Sequence, residues 1–441
     1  MPPVLRDYDG PLGGLEPELA RRRIAVASDA AGRICLVRPD SVVLEFEGEA
    51  YPDVAKVIDA DDGLEFLGGR PEEPPGVGIV GARDLSMREA PRPVRWPTKP
   101  LVEMMERLES DTCRVRPNQV YLADGVARHF GLLGGGSTGT PGFVNPASLE
   151  STVRPAPAPR HLASRLDLPG HRRPNVLVLD TGLRTFDARA EHPALDNCVV
   201  HRPWRSLASV GRWDDEDEPD DDGVGRLDYQ AGHGTFISGI IRQLCPDALV
   251  HHRGVLTSYG DGDDASVIAA IERAVRQLGD DIDIVVMSFG TYGENDQPPP
   301  MAGAIEALLQ HSLVIASAGN DGTNRRYFPA ALPGVIGVGA LGPAGRAAFS
   351  NFGSWVDACA IGVDVVSTFL TDFDDRRSDD RLVDEYRGWA RWSGTSFSGP
   401  KVAAAVAQEL YLHGGTAKEA WRRLSPPTAL RLPDLGIVVN V

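Results

Sequence analysis

Ser396, His233, Asp180 and Asn320 are the residues of this chain best suited to breaking an acyl bond, and they lie in Gly394-Thr395-Ser396, Gly232-His233-Gly234-Thr235, Asp180-Thr181-Gly182 and Ala318-Gly319-Asn320. A serine hydroxyl is a poor nucleophile at neutral pH and must lose its proton to a base as it attacks a carbonyl carbon. His233 fits that role because imidazole titrates near the working pH, and a buried carboxylate, Asp180, would fix its tautomer and stabilise the imidazolium. The Asn320 side-chain amide is a donor that needs no proton transfer. It is suited to hold a developing oxyanion together with the Ser396 backbone N–H. Each triplet alone is common by chance, and a lone histidine before a glycine is more often a turn or a satisfied buried imidazole. The joint order Asp, His, Asn, Ser carries the reading.

The flanking residues supply elements that would deliver these side chains. Asp180 ends the apolar run Val176-Leu177-Val178-Leu179, which reads as a buried parallel strand presenting Asp180 at its carboxyl end, where sites of open α/β sheets lie. Phe236, Ile237, Ile240, Ile241 and Leu244 follow His233 at helical spacing, so the base sits at a helix start. The alanine-rich stretch 397–410 predicts an internal helix with Ser396 at its N-terminus, where partial positive charge can meet an oxyanion. Asn320 follows the buried strand pattern Leu313-Val314-Ile315-Ala316.

At these residues the chain resembles the subtilisin-like serine peptidases, over roughly residues 172–425. Met287-Ser288-Phe289-Gly290, Tyr327-Phe328-Pro329-Ala330, residues 335–340 and Phe349-Ser350-Asn351-Phe352-Gly353 also look like that family. The resemblance implies peptide-bond hydrolysis through an acyl-enzyme on Ser396, with no cofactor in the chemistry. It implies that Ser288, Phe289 and Gly290 pair as an edge strand with an extended protein or peptide substrate. It also implies that Ala316, Ser317, Ala318 and Gly319 line the pocket for the residue before the cleaved bond. The sedolisin group is a competing relative, but it uses Glu and Asp as partners of the serine and Asp as the oxyanion residue, against His233 and Asn320 here. Phe397 and Ser398 stand where Met and Ala are usual after the serine, and Gly399-Pro400-Lys401 where Ser-Pro-His is common. None of these supplies a catalytic proton; Lys401 must snorkel or find a carboxylate. A catalytically silent module gripping peptides in the same cleft is the alternative from another class.

The expected fold is α/β, a subtilisin-like three-layer sandwich with a mainly parallel sheet from strands near 175–180, 248–255, 282–288, 312–317 and 334–340. Helices near 233–244, 265–278, 301–311 and 396–411 cover its faces. A small α+β domain should precede it, giving 1–124 as an accessory or propeptide-like domain, 125–171 as a Gly/Pro-rich linker and 172–441 as the peptidase domain. In the first part, 23–27, 34–37 and 42–46 read as short strands, and 100–108 as an amphipathic helix with Leu101, Met104, Met105 and Leu108 on one side. Residues 35–44 and 113–122 share Cys, Val, Arg-Pro, an Asp or Asn, Val and Leu in register, which suggests two strand-turn-strand units. The helix followed by Val-x-Pro-Asn-x-Val resembles the end of a subtilisin-type propeptide whose tail leads into the cleft. The first domain would then block or flank the cleft, or serve as a docking platform. Any self-cleavage should fall in 124–174.

The 441 residues carry 62 acidic and 45 basic side chains, a formal net charge of -17, which makes nucleic acid and anionic membranes poor partners. The N-terminus lacks a basic region followed by an apolar one, and Cys35, Cys113, Cys198, Cys245 and Cys359 are odd in number and without metal spacing. They read as reduced thiols of a cytoplasmic protein. An unrestrained endopeptidase there would threaten its own cell, and the regulatory first third favours limited cleavage of a particular intracellular protein or precursor peptide over general turnover. Eight of the nine residues 214–222 are acidic. This run reads as a solvated loop, with structural calcium or recognition of basic substrate residues as alternatives, and Asp261, Asp263 and Asp264 would add to the same negative field.

Overall fold

The computed structural model describes residues 5–8, 16–29, 32–46, 51–59, 64–66, 77–82, 97–110, 113–123, 153–183, 195, 198–200, 219–220, 223, 225–293, 296–371, 373–376 and 383–441. Alternation along the central strand Asn175–Asp180 builds the layers. Val176 and Val178 face a cluster containing Phe236, Ile240 and Val402, whereas Leu177 and Leu179 face one containing Val267, Ile268 and Ile305. Successive strand residues point to opposite faces, so the helices His233–Leu244 and Thr395–His413 cover one side and Asp264–Leu278 and Met301–His311 the other. Each fully buried Val or Leu contributes about 1.5–3 kcal/mol of apolar burial.

The sheet runs Arg431–Leu432, Gly436–Val438, Ala358–Ile361, Ile336–Gly342, Leu313–Ser317, Ile284–Met287, Asn175–Asp180, Leu249–Gly254 and Cys198–Val200. From Gly436–Val438 to Cys198–Val200 every pairing is parallel. All five expected strands and all four expected helices are present. The outer strands Ala358–Ile361 and Gly436–Val438 were not expected, since four and three residues are too few to show a period.

The α+β domain stacks the helix Lys99–Leu108 on a sheet ordered Arg6–Asp7, Ala25–Ser28, Ile34–Phe46, Val77–Ala82 and Leu64–Phe66. Leu101, Met104, Met105 and Leu108 are buried against Val37, Val42, Leu44 and Val115 as their spacing requires. One expectation is overturned here. The segments with matching sequences are not two strand-turn-strand units but two long strands, Ile34–Phe46 and Cys113–Ala123, paired antiparallel with each other. Their Arg-Pro cores looked like turns. Instead the register shifts between Val37, paired with Gln119, and Val42, paired with Pro117, so Pro39 falls within the irregularity, and a bulge is where a sheet tolerates proline.

Part of the expected linker is also docked. Val153 is buried, Arg154–Pro155 pairs with Trp389–Trp392, and the Leu166 and Asp167 N–H groups donate to Asp247. Cys35, Cys113, Cys245 and Cys359 are buried thiols in no disulfide among the described residues; burial pushes Cys113 up to about 12 and Cys359 up to about 11. Among the described residues no helix is long and apolar enough to cross a membrane. Apart from Pro219 and Asp220, the acidic run 214–222 lies outside the described residues, and among the described residues no group of metal-ligating side chains is found.

Candidate active site

Asp180 closes its strand and is fully buried. Its Oδ1 accepts the Thr181 N–H at 2.8 Å and lies 2.6 Å from His233 Nδ1. A carboxylate only accepts, so Nδ1 holds the proton and Nε2 presents its lone pair. Nε2 is buried and makes no hydrogen bond among the described residues. His233 opens its helix after Gly232, whose φ of 78° and proximity to the Phe369 ring leave no room for a side chain. The helix start is fixed to the strand end by the Gly234 N–H, which donates to Thr181 Oγ1 at 2.9 Å.

Two aromatic residues complete this half: Phe397, noted in the sequence as a departure after the serine, and Trp392, which sequence reasoning did not single out. Trp392 sets its ring edge to face with His233, centroids 5.4 Å apart, and Phe397 lies 5.5 Å from the imidazole and 5.3 Å from the indole, so the three rings form one cluster. The only sequence signal was their aromatic character within four residues of Ser396. Behind the pair, His252 is fully buried and donates from Nε2 to the Thr181 carbonyl; burial lowers its pKa and keeps it neutral.

Ser396 is the second residue of the helix Thr395–His413, so its N–H lies in the first turn, at the positive end of the helix dipole. Its Oγ lies 3.4 Å from the Ser288 carbonyl, and Ser288 Oγ donates back to the Ser396 carbonyl at 3.0 Å. Asn320 is oriented by its acceptor end. Oδ1 receives both the Thr395 N–H and Thr395 Oγ1 at 2.9 Å, while Thr395 Oγ1 accepts the Gly319 N–H at 3.2 Å. The amide nitrogen is thereby turned toward Gly394, where a Cβ would stand 3.2 Å from it. Gly319 takes φ 96° with Asn351 Nδ2 against the place of its missing side chain, so the turn after Ala316-Ser317-Ala318 requires glycine. Ala316, Ser317 and Ala318 are fully buried beside it.

The edge formed by Ser288, Phe289 and Gly290 is already paired. The strand Cys113–Ala123 sets Ala123 opposite Phe289 and Leu122 opposite Gly290, and on its other side Leu122, Tyr121 and Val120 oppose Asp261, Gly262 and Asp263. Residues of the first domain thus form the central strand of a three-stranded antiparallel ribbon one residue away from Ser288. The expectation that Asp261, Asp263 and Asp264 extend an exposed negative field is corrected by the same contact. They are at most 3% exposed. Arg38 donates from Nε to Asp263 at 2.8 Å and from a terminal nitrogen to Asp261 at 3.1 Å, and Arg22 pairs with Asp261 at 2.8 Å. These arginines belong to the first domain, which a reading of local charge alone could not bring to the loop.

Residues 172–435 match the model of the subtilase family. The chain is 29% identical to the thermophilic serine proteinase of Bacillus sp. (strain AK1), over 40% of this chain and 41% of that protein. It is 28% identical to subtilisin DY of Bacillus licheniformis, over 46% and 72%. It is 31% identical to subtilisin E of Bacillus subtilis (strain 168), over 42% and 48%. The chain spans about half the length of most curated relatives it matches. The crystal structure of a lanthipeptide protease superposes with a TM-score of 0.48 at 23% identity, covering 60% of this chain and 84% of that one.

Proposed function

This chain belongs to the subtilase family, and we propose that it is a serine endopeptidase whose first domain lies in its own substrate groove. The observation that carries the chemistry is the Asp180 to Nδ1 hydrogen bond, which leaves His233 Nε2 as a base. As Ser396 Oγ bonds to the carbonyl carbon, its proton passes to Nε2 and Asp180 stabilises the imidazolium. The Ser396 N–H and Asn320 Nδ2 hold the oxyanion. Collapse breaks the C–N bond, His233 returns the proton to the leaving amine, and water, deprotonated by His233, releases the acyl group. No cofactor enters these steps.

Ser288, Phe289 and Gly290 bind the substrate main chain, and Ala316, Ser317, Ala318 and Gly319 the side chain before the cleaved bond. The pairing of Ala123 and Leu122 with this edge supports the reading, because β-strand addition is how a cleft accepts extended peptides. The described chain is anchored at Ala123 on one side of Ser288 and again from Val153 beside Trp389–Trp392. Self-cleavage is therefore assigned to 124–152, which lies outside the described residues. A groove closed by its own domain favours limited cleavage of a protein or precursor peptide, in the cytoplasm, over general turnover.

The test is labelling of purified protein with a fluorophosphonate, which requires an activated hydroxyl. Labelling of the wild type, abolished by Ser396→Ala, is expected. A wild type that binds peptides but takes no label would make the cleft a silent binding module.

A further inference from the structure

Resting on the reading that Cys113–Ala123 lies where substrate lies, we infer that the cleft carries a tyrosine-selecting subsite, with Asp264 at its floor as the specificity-determining residue. Tyr121 is fully buried, its ring edge-to-face with Phe289 at 5.9 Å and in the same apolar cluster as Ile268 and Met301. Its hydroxyl donates to Asp264 Oδ1. Phe289, Ile268, Met301 and Asp264 all belong to the peptidase unit, so the pocket stays behind when another strand replaces this one.

The carboxylate is built to receive neutral donors. Oδ1 also accepts the Met301 N–H at 2.9 Å, and Oδ2 accepts the Gln119 N–H at 2.9 Å. Of these, the Gln119 bond is a main-chain contact that any strand of the same register can offer. The hydroxyl is the contact that only certain side chains supply. Burial pushes the Asp264 carboxyl up to about 7 despite these donors and the charge of Arg116, and among the described residues no arginine or lysine hydrogen-bonds to it. The pocket therefore holds a phenol without burying a second charge. A phenylalanine would fill the same volume and leave Oδ1 one donor short. Sites that hydrogen-bond a substrate hydroxyl reject the analogue lacking it far better than apolar pockets separate homologues. Two backbone donors remain to Asp264 here, so the discrimination should be that of a single hydrogen bond to an ionisable group, about 10- to 100-fold.

The experiment uses the purified wild-type full chain and peptides copying residues 117–130, with tyrosine, phenylalanine or lysine at the position of Tyr121, cleavage being followed by mass. The tyrosine peptide should exceed the phenylalanine peptide by about 10- to 100-fold in kcat/KM, and Asp264→Asn should bring that ratio close to one. Equal cleavage of the tyrosine and phenylalanine peptides by the wild type would overturn the inference and leave the groove reading intact. A lysine peptide cut fastest would make the subsite cation-selective and overturn the assignment of tyrosine. If none is cut while denatured casein is, the strand does not mimic substrate and both readings fail. Should Asp264→Asn not fold, the wild-type ratio decides alone.

Discussion

The imidazole of His233 meets the indole of Trp392 edge to face, at 5.4 Å and 81°. Trp392 also touches Phe236, Phe369 and Phe397, so one side chain joins the nucleophile's helix, the base's helix and the Trp389–Trp392 strand. It walls the Asp180 to His233 hydrogen bond from solvent, where a low dielectric strengthens that bond. Trp392→Ala, made in Ser396→Ala protein to prevent self-cleavage, should lower stability by about 3–5 kcal/mol in urea titration. A loss under 1 kcal/mol would show that the site collapses around the gap.

Asn320 is held by its oxygen so that its nitrogen is the free end of the amide. Asn320→Ala should lower kcat by about 10² to 10³ with little change in KM, a magnitude established on a subtilisin rather than derived from this chain. Asn320→Asp should be no better, since a carboxylate offers the oxyanion repulsion in place of a donor. A fall confined to KM would assign Asn320 to ground-state binding.

Arg38 is 6% exposed and holds Asp261 and Asp263 at once. Removing one partner of a buried ionic cluster leaves charge without compensation and typically costs about 3–5 kcal/mol. Arg38→Ala should therefore loosen the first domain from the peptidase unit. Comparing Ser396→Ala with Ser396→Ala/Arg38→Ala, calorimetry should show the first domain melting in a separate, earlier transition. Coincident melting in both would mean that the strand pairing alone fastens the domain.

Asp264 gives the domain contact a pH dependence whose sign follows from its shift. Burial raises its carboxyl from an ordinary 3.8 to about 7, so the folded state holds a proton that the unfolded state releases. The resulting stabilisation is complete below about pH 4 and is lost as pH rises through about 7. In Ser396→Ala protein, Asp264→Asn removes this titration. The Tm of the Asn variant relative to its parent should rise between pH 4 and 8; a difference independent of pH would mean that Asp264 is ionised throughout.

Much of the peptidase unit was legible because burial writes a period. The run 176–179, the Phe236 to Leu244 spacing and the alanine-rich stretch after Ser396 each announced an element and the residue it delivers. What was illegible depends on contacts far apart in sequence. Asp261, Asp263 and Asp264 read as solvated because Arg22, Arg38 and Tyr121 lie more than a hundred residues away. Arg38-Pro39 and Arg116-Pro117 read as turns because local chemistry cannot show that a bulge will absorb a proline. Trp392 carried no motif, and its place on His233 exists only once the strand Trp389–Trp392 is paired.

The most direct measurement is intact mass over time for purified wild type beside Ser396→Ala. The account predicts that the wild type alone is cut, with a new N-terminus between residues 124 and 153, while the variant stays whole. Both proteins remaining whole, or both being cut alike, would contradict it.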